Sequence, residues 1–340
     1  MLASSCAAAP TATTSSDPLA SASARVTPSP SSMPTPAHRE AEVIARVLLP
    51  HPYAQTAMSG ETAVTDEAIF IASYSDGLSY LTRIDVASAR VSDVALDSLA
   101  GLDTDNGAVW ILTPWGALQT NPPSVSLGRV DVLTGEPRFV TEVASASGFA
   151  FGLGGVWVAD GELRLLDAES GAVIRVLPWS AMGVAVACGE LWSWDSSSDE
   201  QNPGWLLDRL DPLTGEVVEE FALPDRIESG LVEIEGTCWT RANSDLYGIA
   251  PGGGGDLVVT RSVGTTQFAG PTVWSTTERG VIQRLDPTTG DAMGDAWQLP
   301  LEDLHLDPKG RGDWRLLSAG GSLWLLGGDR IVCYAIPTSP

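Results

Sequence analysis

The chain has 340 residues, of which 44 % are hydrophobic and 18 % charged, so it can bury a large core and is not disordered for most of its length. Lys+Arg total 19 against Asp+Glu 43, a formal net charge of −24 with only three histidines beside it. Such a surface repels phosphate backbones and anionic headgroups, which excludes nucleic-acid binding and electrostatic adsorption to membranes. Nothing in the sequence is long and apolar enough to read as a transmembrane helix. The 35 glycines, 23 prolines and 12 tryptophans point to short strands, tight turns and one large residue used repeatedly.

Residues 1–40 consist almost entirely of Ala, Ser, Thr and Pro. Nothing there can form a packed core, and the composition predicts a semi-extended, flexible tether. Leu2-Ala3-Ser4-Ser5-Cys6 resembles a bacterial lipobox, in which small residues precede a cysteine that becomes lipidated. The match is incomplete: Leu2 stands four residues before Cys6 instead of three, and no apolar stretch precedes it. The Ser/Thr/Pro spacer after Cys6 supports the lipoprotein reading. It predicts an extracytoplasmic protein, secreted or anchored through acylated Cys6, and touching the membrane only through that anchor.

Over residues 41–340 the chain repeats. Seven short apolar runs each hold a central aromatic: AIFIAS with Phe70, AVWILT with Trp110, GVWVAD with Trp157, ELWSWD with Trp192, TCWTRA with Trp239, TVWSTT with Trp274 and SLWLLG with Trp324. Their spacings are 40, 47, 35, 47, 35 and 50 residues, close to the period of four-stranded propeller blades. A second motif follows most of them, a strand ending in an Asp turn: RIDVASAR at Asp85, RVDVLTGE at Asp131, LLDAESGA at Asp167, RLDPLTGE at Asp211 and RLDPTTGD at Asp286. The Asp side chain can hydrogen-bond the turn's own backbone, and Gly accepts the positive φ that closes it. An alternating strand such as EVVEEFALP or GAVIRVLPW comes next. Each repeat thus reads as strands a, b, c and d, with the aromatic on b and the Asp turn between c and d. The fifth repeat departs most, with DLYGIAPGGGGDLVV in place of the Asp turn.

These features predict an all-β fold, a seven-bladed β-propeller. After Trp324 the chain supplies one further strand, RIVCYAIP, and no strand d, whereas VIARVLLP at residues 43–50 has the d pattern and no blade of its own. The N-terminal strand is therefore expected to complete the last blade and close the ring.

The pattern VWVAD…LRLLDAESGAVIRVLP resembles the streptogramin-lyase-like, or YVTN-type, bacterial propellers over residues 43–340. That superfamily hosts lyases, lactonases, sensors and binders, so the resemblance implies the fold and little about function. The family's lyase depends on two closely spaced histidines and a glutamate with Mg²⁺. Here His38 lies in the tether, His51 follows the closing strand and His305 stands between Asp303 and Asp307, with no His-x-His pair. Related quinoprotein propellers carry a Trp a few residues after the Thr-Gly turn; Arg175 and Glu219 stand there instead, against a bound pyrroloquinoline quinone. The sequence has no Gly-x-Ser-x-Gly elbow, Gly-rich phosphate loop or clustered Cys/His spacing. DTDNG at 103–107 looks like part of a calcium loop, but it lacks the downstream glutamate and reads as turn chemistry. No cofactor or metal ligand set is read from the residues. Lactonase-type propellers hold a metal on scattered carboxylates in the central channel, which leaves Ca²⁺ or Mg²⁺ there open. Cys188, Cys238 and Cys333 allow one disulfide at most; a Cys188–Cys238 bridge between adjacent blades is conceivable, and three buried thiols is the preferred reading.

Loop lengths carry the remaining signal. Three b–c segments are long: ASYSDGLSY, TPWGALQTNPPSVSLG and WDSSSDEQNPGW. They are expected to bring Tyr74, Asp76, Trp115, Gln119, Asn121, Trp194, Asp195, Asp199 and Trp205 to one rim, suited to a protein, peptide or glycan. Trp194 and Trp205 serve equally well as cover for the edge of their own blade. Arg241, two residues after Trp239, is expected at the channel mouth as a cation for an anionic ligand. Two functions stay open. One is a non-catalytic, monomeric binding or scaffold propeller at the cell surface, which the scarcity of histidine favours. The other is a metal-dependent lactonase- or streptogramin-lyase-like enzyme.

Overall fold

The computed structural model describes residues 39–51, 62–96, 99, 101–105, 107–115, 124–144, 146, 148–196, 204–223, 225, 227, 230–242, 245–249, 257–260, 265–277, 280–300 and 314–336. Cys6 and His38 in the tether, Gln119, Asn121, Asp199 and the Asp303, His305, Asp307 triplet lie outside the described residues.

The described strands form seven sheets. Blade one is β3 (Thr62–Val64), β4 (Ala68–Ser75), β5 (Leu78–Asp85) and β6 (Val91–Leu96). Blade two is β7 (Gly101–Asp105), β8 (Ala108–Trp115), β9 (Ser124–Val130) and β10 (Pro137–Ala144). Blade three is β11 (Gly148–Gly152), β12 (Gly155–Ala159), β13 (Leu163–Leu166) and β14 (Val173–Leu177). Blade four is β15 (Gly183–Ala187), β16 (Glu190–Ser196), β17 (Trp205–Leu210) and β18 (Val217–Leu223). Blade five is β19 (Val232–Ile234), β20 (Thr237–Ala242), β21 (Asp245–Ile249) and β22 (Val258–Thr260). Blade six is β23 (Thr265–Ala269), β24 (Thr272–Thr276), β25 (Val281–Leu285) and β26 (Ala292–Gln298). Blade seven takes β27 (Trp314–Ala319), β28 (Ser322–Gly327) and β29 (Arg330–Tyr334) from the C-terminal end, and its fourth strand from the other end of the chain.

Each repeated aromatic sits on strand b, and Phe70 and the six tryptophans are at most 3 % exposed. The indole N–H groups of Trp192 and Trp324 donate to the carbonyls of Ala187 (3.1 Å) and Ala319 (3.2 Å), each the last residue of strand a five positions earlier. One residue thus joins two strands and fills the gap to the next blade. The cores lie between blades: Phe70 and Leu81 of blade one pack with Leu102, Val109 and Ile111 of blade two. Ile69, Ile71 and Ile84, on the opposite face of blade one, pack with Trp324, Leu326 and Ile331 of blade seven. Burying one such tryptophan removes about 150–250 Å² from water, roughly 4–6 kcal/mol before entropy is counted.

The Asp turns form as their sequence implies. Asp131 Oδ1 accepts the backbone N–H groups of Leu133 (2.9 Å) and Thr134 (2.8 Å), and Asp167, Asp211 and Asp286 repeat the arrangement. Four residues after each Asp the backbone is left-handed, with φ of 80° at Gly135, 70° at Gly171, 77° at Gly215 and 75° at Gly290. In blade one Ala89 occupies that position at φ 55°. The turns also brace the ring. Arg83 of blade one donates to Val132 O of blade two (2.6 Å), Arg175 of blade three to Pro212 O of blade four (2.6 Å), and Thr260 of blade five to Pro287 O of blade six (2.7 Å). In all three the acceptor is the carbonyl immediately after the turn Asp of the next blade.

The ring closes through the N-terminal strand, β2 (Val43–Leu48), which pairs antiparallel with β29 from Val43↔Tyr334 to Leu48↔Arg330. A shorter strand precedes it. β1 (Arg39–Glu40) lies in the stretch that composition assigns to the tether, yet it pairs in parallel with the outer strand of blade six, Arg39 opposite Trp297 and Glu40 opposite Gln298. Arg39 also reaches Asp295 at 3.1 Å and lies over the Trp297 ring at 5.8 Å. Beyond β2, His51 stacks on Tyr80 of blade one with ring centroids 3.4 Å apart, its Nε2 3.5 Å from Asp93. Residues 39–51 therefore touch three consecutive blades.

The preference for three thiols is corrected. Cys188, in the a–b turn of blade four, is bonded to Cys238 on β20 of blade five, while Cys333 is buried and free. The left-handed backbone of Cys188 (φ 56°) shapes that turn, and the two Cα atoms lie 6.0 Å apart, within the normal span of a disulfide.

Two substitutions separate the left-handed turn position from its surroundings. Ala89→Gly is expected to raise stability by about 0.5–1 kcal/mol, because glycine holds positive φ without strain. Gly171→Ala is expected to lower it by more than about 1 kcal/mol, since its Cβ would stand 2.3 Å from Thr141 Cβ at φ 70°. Denaturant midpoints decide; a destabilised Ala89→Gly contradicts the account.

Candidate functional site

Because strands a to d alternate in direction, the b–c turns and the d–a links share one face of the ring, and the a–b and c–d turns share the other. The segment ASYSDGLSY proves to be no loop. β4 and β5 pair as far as Ser75↔Leu78, leaving a two-residue turn of Asp76 (φ 54°) and Gly77 (φ 83°). This is the tight type I′ geometry that matches strand twist. It puts Tyr74, 56 % exposed, near the hairpin tip beside exposed Asp76 and Leu78. The other two long segments also continue as paired strands, β8 with β9 to Trp115↔Ser124 and β16 with β17 to Ser196↔Trp205. Residues 116–123 and 197–203 between them lie outside the described residues.

Trp194 and Trp205 are half-buried and pack against the cluster of Trp192, Leu207 and Phe221. The Trp194 indole lies over Gly183, 2.2 Å from where a Cβ there would stand. Small Gly183 on strand a thus makes room for a large ring on strand b. Asp195 accepts the backbone N–H of Ser196 at 2.7 Å. Arg241, half-buried, donates to Thr266 O of blade six. The two positions that hold tryptophan in quinoprotein propellers are both structural: Arg175 braces Pro212 O, and Glu219 sits 3.1 Å from Arg209. Arg209 also holds Glu190 at 2.6 Å, joining strands b, c and d of blade four.

A buried carboxylate was missed. Asp208 on β17 is 5 % exposed, opposite Ser193 on β16 and Glu220 on β18, and its Oδ1 has no hydrogen-bond partner among the described residues. Burial, with the charges of Glu220 and Asp195, pushes its carboxyl up to about 6. The signal lay in WLLDRL, where one Asp interrupts an apolar run on a central strand. Asp160, in the short b–c turn of blade three, is likewise raised by burial, against the attraction of Arg164 at 3.2 Å. Among the described residues no group of three or more His, Cys, Asp or Glu is placed to hold a metal ion.

At the opposite mouth of the ring, the inner strands and a–b turns of blades one, two, six and seven enclose a cavity of about 450 Å³. Thr65, Asp66, Thr104 and Ser318 are the polar residues of its lining, and Val64, Phe268, Pro271, Leu316 and Leu317 line it with glycines and alanines. Asp66 is the one carboxylate among these lining residues. Small residues on strand a carry no sequence signature of a cavity.

No protein-family model matches the chain, and no curated protein matches it. Solved structures match its fold. One is BamB from Moraxella catarrhalis, at 15 % identity and TM-score 0.50, covering 88 % of this chain and 99 % of that one. A chain of a mitotic checkpoint complex matches at 12 % identity and TM-score 0.59, covering 92 % and 99 %. The extracellular domain of a hybrid two-component system from B. thetaiotaomicron matches at 15 % identity and TM-score 0.50, covering 86 % of this chain and 43 % of that one. At such identities the likeness is one of fold.

Asp208 gives a signed pH dependence. A carboxyl whose folded-state pKa is raised to about 6 opposes folding once ionised, so stability falls as pH rises from about 4 through 6. Asp208→Asn is expected to stabilise the fold by about 2 kcal/mol at pH 8 and by nothing measurable at pH 4. Equal stabilisation at both pH values contradicts an ionisation effect.

Proposed function

We propose that this protein is an exported, non-catalytic propeller of the streptogramin-lyase-like or YVTN-type kind, anchored through Cys6 and presenting its b–c face to a protein partner. The observation that carries the binding reading is the hairpin of blade one, which holds an exposed Tyr74 on a paired strand two residues before the tight Asp76-Gly77 turn. An aromatic with few rotatable bonds on a fixed strand contributes contact area at small entropic cost. Trp115, Asn121, Trp194, Asp195 and Trp205 extend the proposed rim to blades two and four, and Arg241 is its proposed cation.

Export is supported by the Cys188–Cys238 disulfide, a bond that persists in oxidising compartments and is rare in reducing ones. The Ala/Ser/Thr/Pro composition of residues 1–38 suits a spacer between an acylated cysteine and a folded domain. The fold is shared with an extracellular domain and with a chain of a multi-protein checkpoint complex, settings in keeping with a surface scaffold.

Cys6→Ala is expected to move the protein from the membrane fraction to the soluble fraction without changing its melting temperature; an unchanged distribution removes the anchor. Tyr74→Ala is expected to weaken capture of the partner about tenfold with folding intact. Stoichiometric Ca²⁺ or Mg²⁺ in purified protein would instead favour the metal-dependent enzyme.

A further inference from the structure

The cavity at the mouth opposite the b–c rim follows from what the a–b turns carry. In blades three, four and five the first turn residue is Leu153, Cys188 or Glu235, left-handed with φ of 50°, 56° and 51°. In blades six and seven the same position is Gly270 or Gly320, with φ of 58° and 57°. The five turns share one backbone conformation, so three blades place a side chain where these two place backbone alone. A Cβ at Gly270 would stand 3.3 Å from Cβ of Ser318, on the cavity wall. One at Gly320 would meet Val86 of blade one at 2.5 Å. The opening therefore belongs to one side of the ring and is not a property of the repeat.

Its volume of about 450 Å³ falls within the range of small-molecule sites, about 300–1,000 Å³. Two kinds of surface line it. Val64, Phe268 and Leu317 are apolar, whereas Asp66, Thr104 and Ser318 bring a carboxylate and two hydroxyls. The hydroxyl of Thr65 is engaged, bonded to the carbonyl and the N–H of Ala68 at 3.2 and 3.0 Å. Among the described residues, the Asp66 carboxylate and the hydroxyls of Thr104 and Ser318 meet no hydrogen-bond partner. No lysine, arginine or histidine is among the described lining residues, so no lining cation offsets the charge of Asp66.

A single carboxylate beside an apolar wall selects a ligand by both its charge and its body. Asp66 and a net charge of −24 repel anions. A metal ion takes several oxygen ligands, and one carboxylate with two hydroxyls among apolar side chains supplies too few. An ammonium group on a hydrocarbon body suits both surfaces. Its N–H groups can donate to Asp66, Thr104 and Ser318, while the body displaces water from Val64, Phe268 and Leu317. We infer that this mouth of the ring binds a small primary amine carried on an apolar body, with Asp66 as its counter-ion. The site lies opposite Tyr74 and depends neither on the b–c rim nor on a protein partner.

Titration calorimetry on the full chain tests this, at about 0.15 M salt so that the net charge is screened. The probes are 2-phenylethylamine, its neutral counterpart 2-phenylethanol, and methylamine, which has the charge without the body. Phenylethylamine is expected to bind one per chain, at least about tenfold more tightly than either control. Asp66→Asn should abolish its advantage over the alcohol, and Ser318→Leu, which fills part of the cavity, should weaken it about tenfold. Glu169→Gln removes the same charge from an exposed c–d turn and should change nothing. Melting curves establish that each variant is folded. No binding of phenylethylamine, equal binding of amine and alcohol, or an undiminished preference in Asp66→Asn overturns the inference. Equal loss in Glu169→Gln also overturns it, in favour of bulk charge attraction, and displacement of the amine by equimolar Ca²⁺ does so in favour of a metal site. Loss of amine binding in Tyr74→Ala would move the ligand to the b–c rim and sink this site.

Discussion

A four-stranded blade with two apolar faces cannot stand alone in water, and everything else in this protein follows from that constraint. Each face must be covered by another blade, so the stable unit is a closed ring and not a stack. The clusters run from one blade to the next: blade one gives Phe70 and Leu81 to one neighbour, Ile69, Ile71 and Ile84 to the other. Closure is then a matter of one strand. β2 supplies it, and β1 and His51 fasten the same segment to the blades on either side.

Repetition explains why much of this was legible in the sequence. The strand-b aromatic, the Asp turn and the left-handed glycine are local devices with short signatures, and each reappears where its residues predict. The closing strand was legible for the same reason, since VIARVLLP carries the d pattern with no c strand of its own before it. β1 was hidden: two residues, Arg39 and Glu40, carry no periodicity, and their pairing depends on Asp295 and Trp297, far away in sequence. The disulfide was legible only as one of two options, because Cys188 and Cys238 lie 50 residues apart and meet only once adjacent blades are packed.

The candidate site was less legible than the fold. Length alone suggested a long loop at ASYSDGLSY, whereas Asp76-Gly77 is a pair that folds back tightly, so the extra residues lengthen two strands. Trp194 proved to be packed over a glycine that no loop-length argument considers. Arg175 and Glu219, noted for what they are not, serve as a brace and an ion-pair partner. Surfaces depend on which residues the ring brings side by side, and a linear motif cannot show that.

The central claim is that the N-terminal segment closes the ring by acting as strand d of blade seven. It is tested most directly by moving that strand. A chain lacking residues 1–51 leaves β29 without its outer neighbour. A second chain carries residues 43–51 after Ile336, joined through a copied Asp-Pro-Leu-Thr-Gly-Glu turn. Thermal unfolding of the transplanted chain should be a single cooperative transition close to that of the native protein. The truncated chain should melt broadly and well below it. Equal, cooperative melting of the truncated chain would contradict closure by this strand.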